Sequence, residues 1–321
     1  MKKIIGILLA GALVTSAFAA DVNAQVKMKG SLANWNGSDF KALSMGTDNG
    51  ADYNHLLKLS ANLDKAGTEV AFWINDDSAV VTDHSLFKIW VQPIDILKLT
   101  FGCVDFNLNQ ETIDWWRSNS DAGKSFGYSA QLSVSGFVLD LMLANAYNEP
   151  WFDGKGISRT AVKAQYGADF GTISALLTAN DTFKSIKFGA GYNNTFGSVN
   201  MFVNALGWVG EDGFEKAKVE LFGKGNVDAF SWAAFVPVEI AVGDDVVVTP
   251  GLVAKLSYQL SACGVDLYIA KGNLTKWPDD ALTVRPGVRF NIGSASMEVQ
   301  AAMNITNKVT LDVPIMCNLS W

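Results

Sequence analysis

The chain is poor in the residues from which catalytic and metal sites are built. It has three cysteines and two histidines in 321 residues. Cys103, Cys263 and Cys317 are an odd number at no disulfide or metal-ligand spacing. A stapled or zinc-held scaffold is thereby excluded, and each thiol reads as a small hydrophobe on an apolar strand face. His55 and His84 are the only imidazoles. Both lie near loop bases beside acids (Asp52, Asp83), but no nucleophile motif accompanies them, and a Ser–His–Asp site needs all three groups in hydrogen-bond reach. We therefore expect no enzyme. Phosphate loops, Cys/His clusters and nucleic-acid patches are missing, so no cofactor, metal or nucleic acid is expected. No run of 18 apolar residues occurs in the body of the chain, which leaves no candidate for a spanning helix. There is no internal repeat and no WD or kelch signature, which argues against a propeller. No linker or shift in composition divides the sequence, which reads as one domain.

What is present begins with a leader. Lys2 and Lys3 precede a short apolar core, Ile4 to Val14, and Ala17-Phe18-Ala19 forms an A-x-A cleavage site. This is the pattern of a secretory signal peptide over residues 1–19. No cysteine follows the site, which disfavours a lipoprotein. Loss of Lys2 and Lys3 takes the formal charge from −7 to −9.

From residue 20 to 321 the sequence is a succession of alternating segments separated by turn residues. Leu57, Leu59, Ala61 and Leu63 oppose Lys58, Ser60 and Asn62. Phe87, Ile89, Val91 and then Leu97, Leu99, Phe101, Cys103 form the clean faces of two runs joined by Pro93-Ile94-Asp95. About 18 such period-two segments can be counted, with 16 as the alternative if one hairpin is misread around Val227–Ile240. The connections alternate between tight turns, such as Ser135-Gly136, and mostly longer loops, such as Asn36–Asn54 and Phe106–Ser125. Trp208–Phe214 and Ala241–Pro250 read as members of the longer set, and Gly223–Asn226 as a tight turn. The expected fold is all-β, a transmembrane up-and-down antiparallel barrel.

The last stretch, LDVPIMCNLSW, fits this best. Trp321, Leu319, Cys317, Ile315, Val313 and Leu311 form an apolar face against Ser320, Asn318, Met316, Pro314 and Asp312, over the length a tilted strand needs to cross a bilayer. A terminal indole suits the membrane–water interface. This ending resembles that of the outer-membrane β-barrel proteins of diderm bacteria. The resemblance implies residence in outer-membrane lipid and a final strand read by the barrel-assembly machinery through Trp321, Leu319 and Ile315. It also implies passage of small hydrophilic solutes, and it admits a homotrimer.

Charge is partitioned. Opposite the apolar stripes lie Lys27, Lys29, Lys58, Lys88, Lys98, Arg159, Lys163, Lys187, Lys216, Lys218, Lys255, Arg285 and Arg289. The acids there are fewer: Glu69, Asp140, Glu220, Asp266, Glu298 and Asp312. Most other acids fall in the longer loops. Lys or Arg facing mid-bilayer costs about 2–4 kcal/mol, so these residues demand a wet interior, as barrels of 16–18 strands provide. The expectation is a porin with a net basic wall and an anion preference.

The longest connection, Phe106–Ser125, occupies the place at which general porins fold a loop into the lumen. Glu111, Asp114, Trp115, Trp116 and Arg117 are its candidate constriction residues, and Ile113 is similarly odd for a solvated loop. General porins pair several acids on that loop with arginines opposite; here the wall is mainly lysine. The alternative is a surface adhesin or antigen acting through its loops, and Trp90–Gly102 resembles hairpins of spirochaete major sheath proteins.

Overall fold

The structure, a computed structural model, describes residues 21–44, 55–74, 80–105, 107–113, 116–117, 124–145, 157–180, 184–243, 245–276 and 279–321. Ala17 and Ala19 of the expected cleavage site, and the loop residues Asp114 and Trp115, lie outside the described residues.

Eighteen staves close into one antiparallel barrel. In chain order they are β1 (Asp21–Trp35), β2 (His55–Leu63), β3 (Ala66–Ile74), β4 (Val80–Ile94), β5 (Leu97–Asp105), β6 (Lys124–Val134), β7 (Phe137–Ala144), β8 (Arg159–Ala168) and β9 (Gly171–Asn180). They continue as β10 (Ser185–Phe196), β11 (Val199–Gly210), β12 (Gly213–Val227), β13 (Phe230–Val242), β14 (Val246–Pro250 with Leu252–Gln259) and β15 (Gly264–Lys271). The last are β16 (Leu282–Ile292), β17 (Ala295–Gln300 with Ala302–Ile305) and β18 (Val309–Ser320). A short hairpin arm, Phe40–Ser44, extends β1.

The two interruptions have a local cause. Proline has no N–H to donate to a ladder, and Gly251 and Ala301 stand across from Pro237 and Pro286. Each still donates its own N–H to that proline's carbonyl, at 2.8 and 2.9 Å, so the sheet bends without opening.

The start of β1, the end of β18 and the tight turns share one end of the barrel. There Trp321 exchanges backbone hydrogen bonds with Ala24, at 2.7 and 3.0 Å, and β18 pairs with β1 from Gln25↔Ser320 to Trp35↔Leu311. Lys65 and Asp95 join neighbouring turns at 2.8 Å. Their hydrogen bond raises the lysine's pKa and lowers the aspartate's. Both groups are exposed, and a solvated pair of this kind adds little stability.

The strand boundaries correct the sequence reading in four places. Gly223–Asn226 is not a turn; β12 runs on to Val227 and the turn is Asp228-Ala229. Gly223 and Gly225 are strand glycines, bare because the Trp232 ring lies over them; a Cβ would come within 3.2 and 3.0 Å of it. Trp208–Phe214 is not a long loop either, since β11 and β12 meet at a two-residue turn. The connection before Pro250 is also short, because Val246–Pro250 is strand. Cys263, expected on a strand face, instead closes the turn before β15, its carbonyl accepting from the Leu260 N–H.

One face of the wall is apolar and bare: Ile173 and Leu177 are 50 % and 52 % exposed. Uninterrupted round the barrel, such a belt is what lipid covers in a spanning sheet. Near the tight turns it ends in aromatics, with Phe137, Tyr166, Phe170, Phe196, Phe230, Tyr258 and Trp321 all exposed. Such a girdle belongs at a membrane–water interface.

Candidate functional site: the lumen and its inward loop

Strand partners share a face, so the register can be followed round the wall from one buried residue. Glu220 stands beside Asn204, Gly191, Ser174 and Gln165 in turn. Continued to closure, this places all thirteen cations named above on the inner face, together with the six acids. It adds Lys224, which the misread turn had hidden, and Glu239, which pairs with Lys218 across β12–β13. The described inner wall therefore carries more basic than acidic residues.

Segment 107–113 runs inside the barrel, and its anchors are small. Leu108 sits among Val104, Met142, Ala144, Ala161, Leu176 and Leu206. Ile113, 1 % exposed, sits among Phe202, Phe222, Phe235, Val253 and Tyr268. Inward-facing apolar residues are out of place on a wet wall unless something covers them, and these two side chains do.

Between the anchors lies a polar clip. Asn109 donates from its side-chain amide to Asn204 Oδ1 at 3.0 Å, and Asn204 Nδ2 donates back to the Asn109 carbonyl at 3.0 Å and to Glu220 Oε2 at 3.0 Å. Glu220 in turn faces Lys218 at 3.3 Å. Lys163 Nζ reaches the Leu108 carbonyl at 3.5 Å. Lys224 meets Glu111 at 2.6 Å. Of the five constriction candidates, Glu111 is thus tied to the wall. Trp116 and Arg117 pair by backbone with Ile113 and Thr112, and their side chains lie outside the described residues. Leu108, Asn109 and Asn204 were not singled out from sequence; an isolated Leu and Asn pair in a polar loop carries no periodic signal.

The loop divides the wall into two flanks. On the covered side, β7 to β15, Arg159, Lys187 and Lys218 face inward but are buried. These three therefore sit in packed interior on the side of the wall that the loop covers. Lys187 and Lys216 bracket the Trp208 ring at 5.3 and 4.6 Å, and Arg285 lies over Tyr268 at 4.3 Å. Lys216 and Lys255 have acids within 4 Å: Glu239 for the first, Asp266 and Glu298 for the second. The other side, β1, β2, β4 and β5, presents Lys27, Lys29, Lys58, Lys88 and Lys98, with Lys58 on Glu69 at 3.0 Å. Two cavities open there: one of about 290 Å³ with Lys88, Lys98, Gln131 and Asp140 on its wall, and one of about 400 Å³ with Asn23, Gln25, Lys58 and Ser60.

No protein-family model matches the sequence, and no curated relative matches it. Solved structures do match. Pseudomonas aeruginosa OccK3 (OpdO) superposes with a TM-score of 0.59 at 9 % identity, over 94 % of this chain and 95 % of its own. Pseudomonas aeruginosa OpdQ gives 0.59 at 9 %, over 94 % and 98 %. The outer membrane protein opdK of the same organism gives 0.55 at 10 %, over 94 % and 99 %. The fold is that of outer-membrane porins. The match spans nearly the whole of both chains.

Proposed function

We propose that the chain is a bacterial outer-membrane porin: a water-filled channel for passive diffusion of small hydrophilic solutes, without enzymatic activity, with a preference for anions. The observation that carries this is the lysine flank. Five lysines against Asp21, Glu69 and Asp140 face the part of the lumen that segment 107–113 leaves uncovered. Charges in a confined lumen are screened less than loop charges in bulk salt, where the Debye length is about 8 Å. The flank therefore sets the field, and rings of wall charge set selectivity. The signal peptide and the reading of the last strand by the barrel-assembly machinery belong to the same proposal; monomer and homotrimer are both compatible with it.

Planar-bilayer recording tests it. We expect discrete conductance and a reversal potential of anion sign under a salt gradient, larger at low salt. Replacing Lys27, Lys58, Lys88 and Lys98 by Gln should reduce the preference more than replacing Arg285 and Arg289, one held over Tyr268 and the other opposite Glu298. A cation preference at low salt would overturn the reading.

A further inference from the structure

Below segment 107–113, toward the tight-turn end, the wall and the loop line a chamber of about 610 Å³. Thr112 and Ile113 form its roof, and its wall comes from β10 to β14 and β16. That volume lies within the range of pockets that hold small molecules.

The wall carries three cations, Lys224, Lys255 and Arg289, and no acid. Taken alone they suggest an anion site. Their partners say otherwise. Lys224 holds Glu111 at 2.6 Å, Lys255 has Asp266 and Glu298 at 3.5 and 3.9 Å, and Arg289 stands opposite Glu298 in the β16–β17 register. Three positive charges meet three negative ones, so the chamber has no net charge to offer an ion. What remains is hydrogen-bonding capacity: Thr112, Thr195, Asn200, Asn226, Ser231 and Ser257 all line it. Two atoms just behind the lining, Arg289 Nε and Asn200 Oδ1, have no hydrogen-bond partner among the described residues. One is a donor and the other an acceptor, and a hydroxyl group can serve both.

We propose that this chamber is a binding subsite for neutral polyhydroxylated solutes, of the sugar or polyol class. The inference rests on the channel reading and adds a station to it. The lysine flank acts on ions, whereas the charge-compensated chamber retards uncharged solutes rich in hydroxyls.

The test is sugar-induced block of single channels, with glucose, sucrose and the charged isostere glucuronate as probes. Glucose and sucrose should lower conductance along a saturating curve, beyond their effect on viscosity. The double variant Asn200→Leu with Ser257→Val should raise the half-blocking concentration about tenfold, with heat-modifiable gel mobility confirming that the barrel has folded. A linear, non-saturating decline that the variant leaves unchanged overturns the subsite. Glucuronate binding tenfold or more tighter than glucose overturns the neutral class. If the folded barrel does not conduct at all, the channel reading falls; glucose titration of the detergent-folded protein by calorimetry then decides the chamber separately, and absence of saturable heat overturns it.

Discussion

Asn204 shows how much a single inner-wall residue can hold. It has no exposed surface, and its one amide group satisfies both Asn109 and Glu220. Removing one partner of a buried hydrogen bond leaves the other unsatisfied, at a cost of about 1–3 kcal/mol. Asn204→Ala should therefore release segment 107–113 from the wall while Leu108 and Ile113 still hold it at two points. We expect higher open-channel current noise and a larger mean conductance, with barrel yield nearly unchanged; a quiet channel of unaltered conductance would show that the apolar anchors alone set the loop's depth. Glycine positions act on yield instead. Gly102 has φ +115°, and a Cβ there would lie 2.1 Å from the Phe87 carbonyl oxygen. Gly102→Ala should lower the amount of folded barrel several-fold, read as the loss of the heat-modifiable band. In the sequence Gly102 was only one more alternating position, and Asn204 one more polar residue. Neither a positive φ nor a contact ninety-five residues away leaves a trace in local periodicity.

At the scale of elements, the period-two pattern was a good guide because a spanning strand must show lipid one face and water the other. It failed where packing replaced one of those environments. Gly223 and Gly225 read as a turn because glycine usually marks one; in the barrel they make room for Trp232. The loop was conspicuous for its tryptophans, whereas the described contacts are made by Leu108 and Ile113. Ile113 fills a cup of four aromatic rings and Val253, and burying a polar group there without a partner costs several kcal/mol. Ile113→Asn should thus expel this end of the loop and increase conductance more than Glu111→Gln does. The Glu111–Lys224 pair is partly exposed and so weakened by salt. The effect of Glu111→Gln should accordingly shrink as ionic strength rises, while that of Ile113→Asn should not.

The whole molecule is defined by closure, since in lipid every backbone group must be paired internally and an open sheet edge is not tolerated. The seam is made by the first and last staves. β18 is held between β17 and β1, and its final residue contributes two backbone hydrogen bonds to Ala24. Closure was legible from the sequence because alternation ran unbroken to the last residue; the seam's register was not, because a slip by two residues would preserve every inward and outward face. The side chain and the backbone of the last strand can therefore be separated by experiment. Trp321→Ser keeps the hydrogen bonds to Ala24 and loses only the indole at the interface. It should give a barrel that still migrates differently before and after boiling, but in an amount reduced several-fold in the outer membrane. Removal of Asn318–Trp321 deletes the strand partners of Gln25, Val26 and Lys27 and exposes a row of unpaired groups to hydrocarbon. No heat-modifiable form should accumulate from that truncated chain, and a normal level of one would mean that the seam can close at another register.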